Sequence, residues 1–244
     1  IGGEHVSVTV MVPPGASPET YEPRPAQLQA LSQADAYLAI GVDFEYAWMS
    51  RIAAANPQMR VIDTSQGITR QPLHGHDHSG GASEAHPDPH IWLSPRLVRL
   101  QATTIAGALA ELDPAHRSVY ESNLAQWLAE IDGLDGDLRG ALAGSVSQAF
   151  MTYHPSWGYF ADEYGLEQLA IEVGGQEPSA QELAGLITEA RARGVRVVLV
   201  EPELSTRSAE TIARELGVEV RTISPLAEDW AGNLRTLAKI LAES

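Results

Sequence analysis

Two histidines sit in settings that suit metal chemistry. His154 follows the strand-like run Ala149 to Tyr153 and precedes a proline, in Tyr153-His154-Pro155, and His90 lies in Asp88-Pro89-His90-Ile91-Trp92-Leu93. Two carboxylates have comparable positions. Glu19 lies in Pro18-Glu19-Thr20-Tyr21-Glu22-Pro23, after the first strand-like run and its turn, and Glu201 opens Glu201-Pro202-Glu203, directly after the apolar run Val195 to Val200. Ser224-Pro225-Leu226 follows the last such run. Imidazole nitrogen and carboxylate oxygen together, without thiolate, are a donor set for Zn²⁺, with Mn²⁺ and Fe²⁺ as alternatives. Taken singly, each of these histidines reads more readily as an ordinary core or surface residue. Their shared placement at strand ends and in the adjoining loops is what groups them.

A second histidine signal is compositional. His74-Gly75-His76-Asp77-His78, with His86 further on, lies in a stretch from Gln71 to Pro89 that is rich in turn residues and poor in large apolar ones. Alternating histidines on an exposed loop can gather a metal weakly in several geometries, so His74, His76, His78 and His86 form a candidate auxiliary site. His5 and His116 read as surface residues.

Composition narrows the classes. The chain has 32 acidic and 16 basic residues, a formal net charge of -16. Such a surface repels nucleic-acid phosphates and anionic membranes and draws cations only diffusely. There is no cysteine, which removes thiolate sites, disulfides and thiol nucleophiles. No segment is apolar enough to span a bilayer. No HExxH, nucleophile elbow or glycine-rich phosphate loop is present.

The elements that must position these residues follow from periodicity. Val6 to Val12 alternates as a strand, Ala26 to Ala34 has helical spacing, Ala36 to Ile40 is a short buried strand, Phe44 to Ala55 a helix and Arg60 to Asp63 a strand. Pro95 to Leu112 is a helix, and Asp113-Pro114 interrupts it before a longer amphipathic stretch that runs to about Leu142 and spans roughly 40 Å. Beyond it, strands at 149–153, 166–173, 195–200 and 218–223 alternate with helices at 156–164, 179–193, 205–216 and 230–242, the third strand being apolar enough to be buried on both faces. The expected class is α/β, with two lobes, each a parallel sheet flanked by helices, joined by one long rigid helix. The expected division is 1–113 for the first lobe, 114–143 for the linking helix and 144–244 for the second lobe. Trp92 and Trp157, beside the two histidines, are expected to wall the cleft.

The motifs in this order resemble the zinc/manganese-type (cluster A-I) solute-binding proteins of bacterial ABC importers. Pro13 to Pro23 resembles that family's first ligand loop, Asp88 to Pro95 its second, and Tyr153 to Phe160 with Tyr164-Gly165-Leu166 its third. Glu201-Pro202 and Ser224-Pro225-Leu226 resemble its late cleft segments. The resemblance implies a non-enzymatic monomer of the periplasm or cell surface that captures a divalent ion between its lobes. It further implies delivery of the ion to a membrane permease, with a metallochaperone as a further partner. Carried over position by position, it implies His90 and His154 as ligands. Glu19 stands where the family usually has histidine, and Ser224 where it usually has aspartate. Glu201 is then the nearest replacement carboxylate and Asp229 a weaker one. Family members usually carry a further strand and helix before the Gly2-Gly3 of this chain. That inner strand of the first sheet is either missing here or the first lobe is reorganised, and no signal sequence is present in the chain. The competing readings are a zinc-dependent hydrolase with Glu19 or Glu201 as base, and a periplasmic metal buffer or chaperone.

Overall fold

The computed structural model describes residues 1–73, 87–145, 148–173, 175–202, 204 and 207–244. The chain forms two compact units. One comprises Ile1–Thr69 and Arg96–Asp132, the other Arg70–Pro95 and Gly133–Ser244. The class is α/β, with parallel sheets flanked by helices.

In the first unit, β1 (Ala36–Ala39) and β2 (Arg60–Asp63) pair in parallel, Ala36 opposite Arg60 and Ala39 opposite Asp63. The crossover between them is helix α2 (Asp43–Ala55), preceded in the chain by α1 (Pro25–Leu31). The turn from β1 into α2 is held by a buried carboxylate. Glu45, 4% exposed, accepts hydrogen bonds from the Tyr37 hydroxyl (2.9 Å), Ile40 N (3.1 Å) and Gly41 N (2.5 Å). Burial, then the facing Glu45 charge, pushes the Tyr37 phenol well above its ordinary value, so it stays a donor.

Val6 to Val12 departs from expectation. It belongs to neither sheet, and Val8 and Val10 are 76% and 68% exposed. Alternation makes a segment fit for a sheet but supplies no partner, and among the described residues β1 and β2 pair only with each other.

Helix α3 (Pro95–Leu112) ends before Asp113, and a 3-10 turn (Pro114–His116) leads into α4 (Arg117–Leu142). At about 1.5 Å per residue α4 is about 39 Å long. Its residues to Asp132 belong to the first unit and those from Gly133 to the second. The joint is pinned by Asp113, whose carboxylate accepts from the Tyr120 hydroxyl (2.8 Å) and pairs with His116 Nδ1 (2.6 Å), while the His5 ring stacks on His116 at 3.9 Å.

The second unit holds a four-stranded parallel sheet in the order β4-β3-β5-β6, made of β3 (Ala149–Thr152), β4 (Glu167–Ala170), β5 (Val197–Val200) and β6 (Glu219–Thr222). Helices α5 (Gly158–Tyr164), α6 (Ala180–Arg193), α7 (Arg207–Leu216) and α8 (Trp230–Glu243) complete it. β3 and β5 are buried throughout, because alternate side chains enter different cores. Phe150, Val197 and Leu199 join Leu134, Leu138, Phe160, Leu234 and Leu237, whereas Met151, Val198 and Val200 join Leu169, Ile171, Leu186 and Ile212. Helix α6 starts at Ser179, whose hydroxyl accepts from Glu182 N while Glu182 accepts from Ser179 N. Gly194, at φ 69°, ends it in the left-handed region that a side chain would disfavour.

Glu45→Ala leaves the Tyr37 hydroxyl and the Gly41 amide without their acceptor, and urea unfolding is expected to show a loss of about 2–3 kcal/mol. Asp113 gives a pH-dependent counterpart. Hydrogen bonds from Tyr120, then His116, hold its carboxyl below the usual carboxylate value. A depressed folded pKa contributes stability above the unfolded value that is lost as pH falls through the folded one. The melting-temperature gap between the native chain and Asp113→Asn should therefore be widest near neutrality and close in acid below the ordinary aspartate range.

Candidate metal centre

The strand register of the second unit builds most of the site. Thr152 of β3 is paired with Ala170 of β4 on one side and with Leu199 of β5 on the other. His154, Glu172 and Glu201 each lie two residues beyond one of these three, in phase at the carboxyl ends of adjacent strands. The pairing continues past the strands proper, since Ile171 N donates to Thr152 O (2.8 Å) and Glu172 N to Tyr153 O (3.1 Å). His154 Nδ1 lies 2.8 Å from Glu172 Oε1, and Ser156 Oγ donates to Glu201 Oε1 at 2.8 Å. His154, Glu172 and Glu201 are 5%, 7% and 7% exposed. Tyr153 next to them is pushed up to about 12, first by burial and then by the charges of Glu177 and Glu172, so its hydroxyl stays neutral.

His90 reaches the same place from the segment before α3. Asp88, fully buried, receives both His90 N (2.9 Å) and His90 Nδ1 (2.7 Å) on one oxygen, Oδ1. The backbone at Asp88 is fixed in turn. Its N–H donates to Gln71 O (2.8 Å), and its carbonyl accepts from the Tyr159 hydroxyl (3.0 Å), which itself accepts from Gln71 N (3.0 Å). Trp92 Nε1 donates to Pro225 O (2.8 Å) and Trp230 Nε1 to Trp92 O (2.7 Å), tying this segment to the chain after β6. The His90 and His154 rings are 5.1 Å apart, centroid to centroid, at 63°, with the Trp92 ring 5.1 Å from His90 on another side.

The expected residues thus divide. His90, His154 and Glu201 are gathered at the carboxyl edge of one sheet. Glu19 lies in the first unit, exposed on its loop, with its N–H donating to Ser17 Oγ (3.2 Å). Asp229 caps α8, its carboxylate accepting from Gly232 N (3.0 Å). Ser224 Oγ accepts from Leu226 N (3.1 Å). His74, His76, His78 and His86 lie outside the described residues. Trp157 does not wall the site. It is fully buried in the core with its ring 6.2 Å from Phe160, because the turn after Pro155 sends it back toward the sheet. Sequence reasoning missed Glu172 and gave Asp88 no role of its own. Both had a legible signal, a lone carboxylate ending the apolar run Leu169-Ala170-Ile171 and one placed two residues before a candidate ligand. Among the described residues, no three His, Asp or Glu side chains are arranged to close on one cation. The buried carboxylates bond to imidazole or to Ser156 instead. What the arrangement offers is two oriented imidazoles with carboxylates behind them.

Over residues 1–244 the chain matches the family described as "ZnuA: Zinc-uptake complex component A periplasmic". It belongs to that family. It is 29% identical to the high-affinity zinc uptake system protein ZnuA of Bacillus subtilis over 90% of this chain and 71% of that protein. It is 27% identical to the zinc-binding protein AdcA of Streptococcus pyogenes over 93% of this chain, and spans 47% of that longer protein. A crystal structure of a zinc-bound ZnuA deletion mutant superposes with a TM-score of 0.91 at 49% identity, covering 99% of this chain and 90% of that one. Membership in this family sets the hydrolase reading aside. The chain is a metal-capturing binding component and not an enzyme.

Tyr159→Phe leaves Gln71 N and Asp88 O without their shared hydroxyl. Chemical denaturation should register a loss of about 1–2 kcal/mol, and amide exchange at Gln71 should quicken while that of the β3 amides does not.

Proposed function

We propose that this chain captures zinc at His90 and His154 and passes it to a membrane permease, working in the periplasm or at the cell surface as a monomer. The observation that carries the reading is the pair of buried imidazoles 5.1 Å apart, each with its Nδ1 held by a carboxylate. A neutral imidazole whose Nδ1 donates has its lone pair on Nε2, the form a metal requires. Imidazole donors favour zinc over the harder ions. Manganese and iron are the alternatives, and the carboxylates are what would admit them.

The proposed ligand set is Glu19, His90, His154 and Glu201. Glu201 brings a buried carboxylate to the same sheet edge as His154, and Glu19 is the donor assigned from the first ligand loop. His74, His76, His78 and His86 are proposed as a weaker collecting site that hands ions on. The lobe division at 1–113, 114–143 and 144–244, with hand-over from a metallochaperone, belongs to the same reading. Relatives named for zinc uptake and zinc binding support it.

Competition titration against a chromophoric chelator, with anomalous diffraction at the zinc edge, tests the assignment. One tightly held zinc per chain is expected, with His90→Ala and His154→Ala each weakening it by more than about 100-fold and deletion of residues 74–86 leaving it in place. Zinc held only by the 74–86 segment would overturn the reading. Glu19→Ala and Glu201→Ala are expected to weaken zinc less than either histidine change and to shift preference further from manganese.

A further inference from the structure

We propose that Asp88 and Glu172 are positioning residues for the cargo ion, each acting through the imidazole it holds. This rests on His90 and His154 being ligands. The two pairs are built independently. The Asp88–His90 pair is a tight local turn in which one carboxylate oxygen takes both the backbone and the ring N–H of the residue two further on. The Glu172–His154 pair spans adjacent strands and follows from the Thr152–Ala170 register. Two different local structures reach the same bond, carboxylate oxygen to Nδ1, at 2.7 and 2.8 Å. A carboxylate there can only accept, so it selects the ring tautomer with the proton on Nδ1 and stops the ring from turning.

Burial sets these pairs apart from the other imidazole–carboxylate pair among the described residues. The side chains of His116 and Asp113 are 42% and 38% exposed, and that pair serves a helix joint. The side chains of His90 and Asp88 are 10% and 0% exposed, those of His154 and Glu172 7% and 9%. Asp88 carries a further signal. Its second oxygen, Oδ2, is buried and has no hydrogen-bond partner among the described residues. A buried carboxylate satisfied on one oxygen alone is costly unless a positive charge lies close by. A cation on the far side of the His90 ring supplies that charge. Asp88 therefore acts by orientation and by charge, and its amide analogue, which still accepts on Oδ1, separates the two.

The test uses the full chain with zinc alone. Zinc affinity by chelator competition and apo-state imidazole tautomers by long-range ¹H–¹⁵N correlation are measured for Asp88→Ala, Asp88→Asn, Glu172→Ala and Glu172→Gln, with His90→Ala and His154→Ala as controls. The alanine variants should bind zinc about 10–100-fold more weakly, with the facing ring moving toward the Nε2-protonated tautomer. Glu172→Gln should recover most of the affinity. Asp88→Asn should keep the native tautomer yet remain weaker than the native chain, and it serves in place of Asp88→Ala if that variant does not fold. Native affinity and native tautomers in the alanine variants, with zinc lost in the histidine controls, would sink the positioning role while leaving the ligands in place. Native affinity in the histidine controls would remove the ligand reading itself.

Discussion

The parallel register at the carboxyl ends of β3, β4 and β5 is the constraint on which the site depends. Pairing Thr152 with Ala170 and with Leu199 leaves no freedom in where the next residues emerge. Because side chains alternate along a strand, residues two positions beyond a paired set share its direction. His154, Glu172 and Glu201 meet this condition together. A slip of one residue in any of these strands would send its candidate site side chain to the opposite face. The apolar alternation that locks Phe150, Val197 and Leu199 into one core and Met151, Val198 and Val200 into the other is therefore also what aligns the site.

The electrostatics follow from that alignment. The edge buries Asp88, Glu172 and Glu201 close to two imidazoles in a chain of net charge -16. Diffuse surface charge could only raise the local cation concentration. The buried carboxylates do something narrower, since each is spent on a named donor: His90, His154 or Ser156. Under the proposed assignment, Asp88 and Glu172 act on an ion through the imidazoles they hold, whereas Glu201 is itself a ligand.

His90 comes to this edge across a long gap in sequence, and its segment is fixed by several ties. Tyr159 links Gln71 to Asp88, Trp92 bonds to Pro225, and Trp230 bonds back to Trp92. These ties place Arg70–Pro95 in the second compact unit, although α3 and most of α4 follow it in the chain and belong to the first. Shortening or loosening that segment would change the position of one imidazole without touching the sheet that carries the other.

Local residue patterns by themselves determined the α/β class, the parallel second sheet, the break at Asp113-Pro114, the cap at Ser179 and the membership of His90, His154 and Glu201 in strand-end or loop motifs. Each of those depends on neighbours a few residues away or on a repeating period, which a sequence displays directly. Only the tertiary structure decided that Val6 to Val12 pairs with no strand among the described residues, that Trp157 turns into the core, and that Asp229 is occupied as a helix cap. It alone brought Glu172 against His154, for the carboxylate and the imidazole are eighteen positions apart and meet through strand register, a property of pairing between segments that neither segment carries in its own residues.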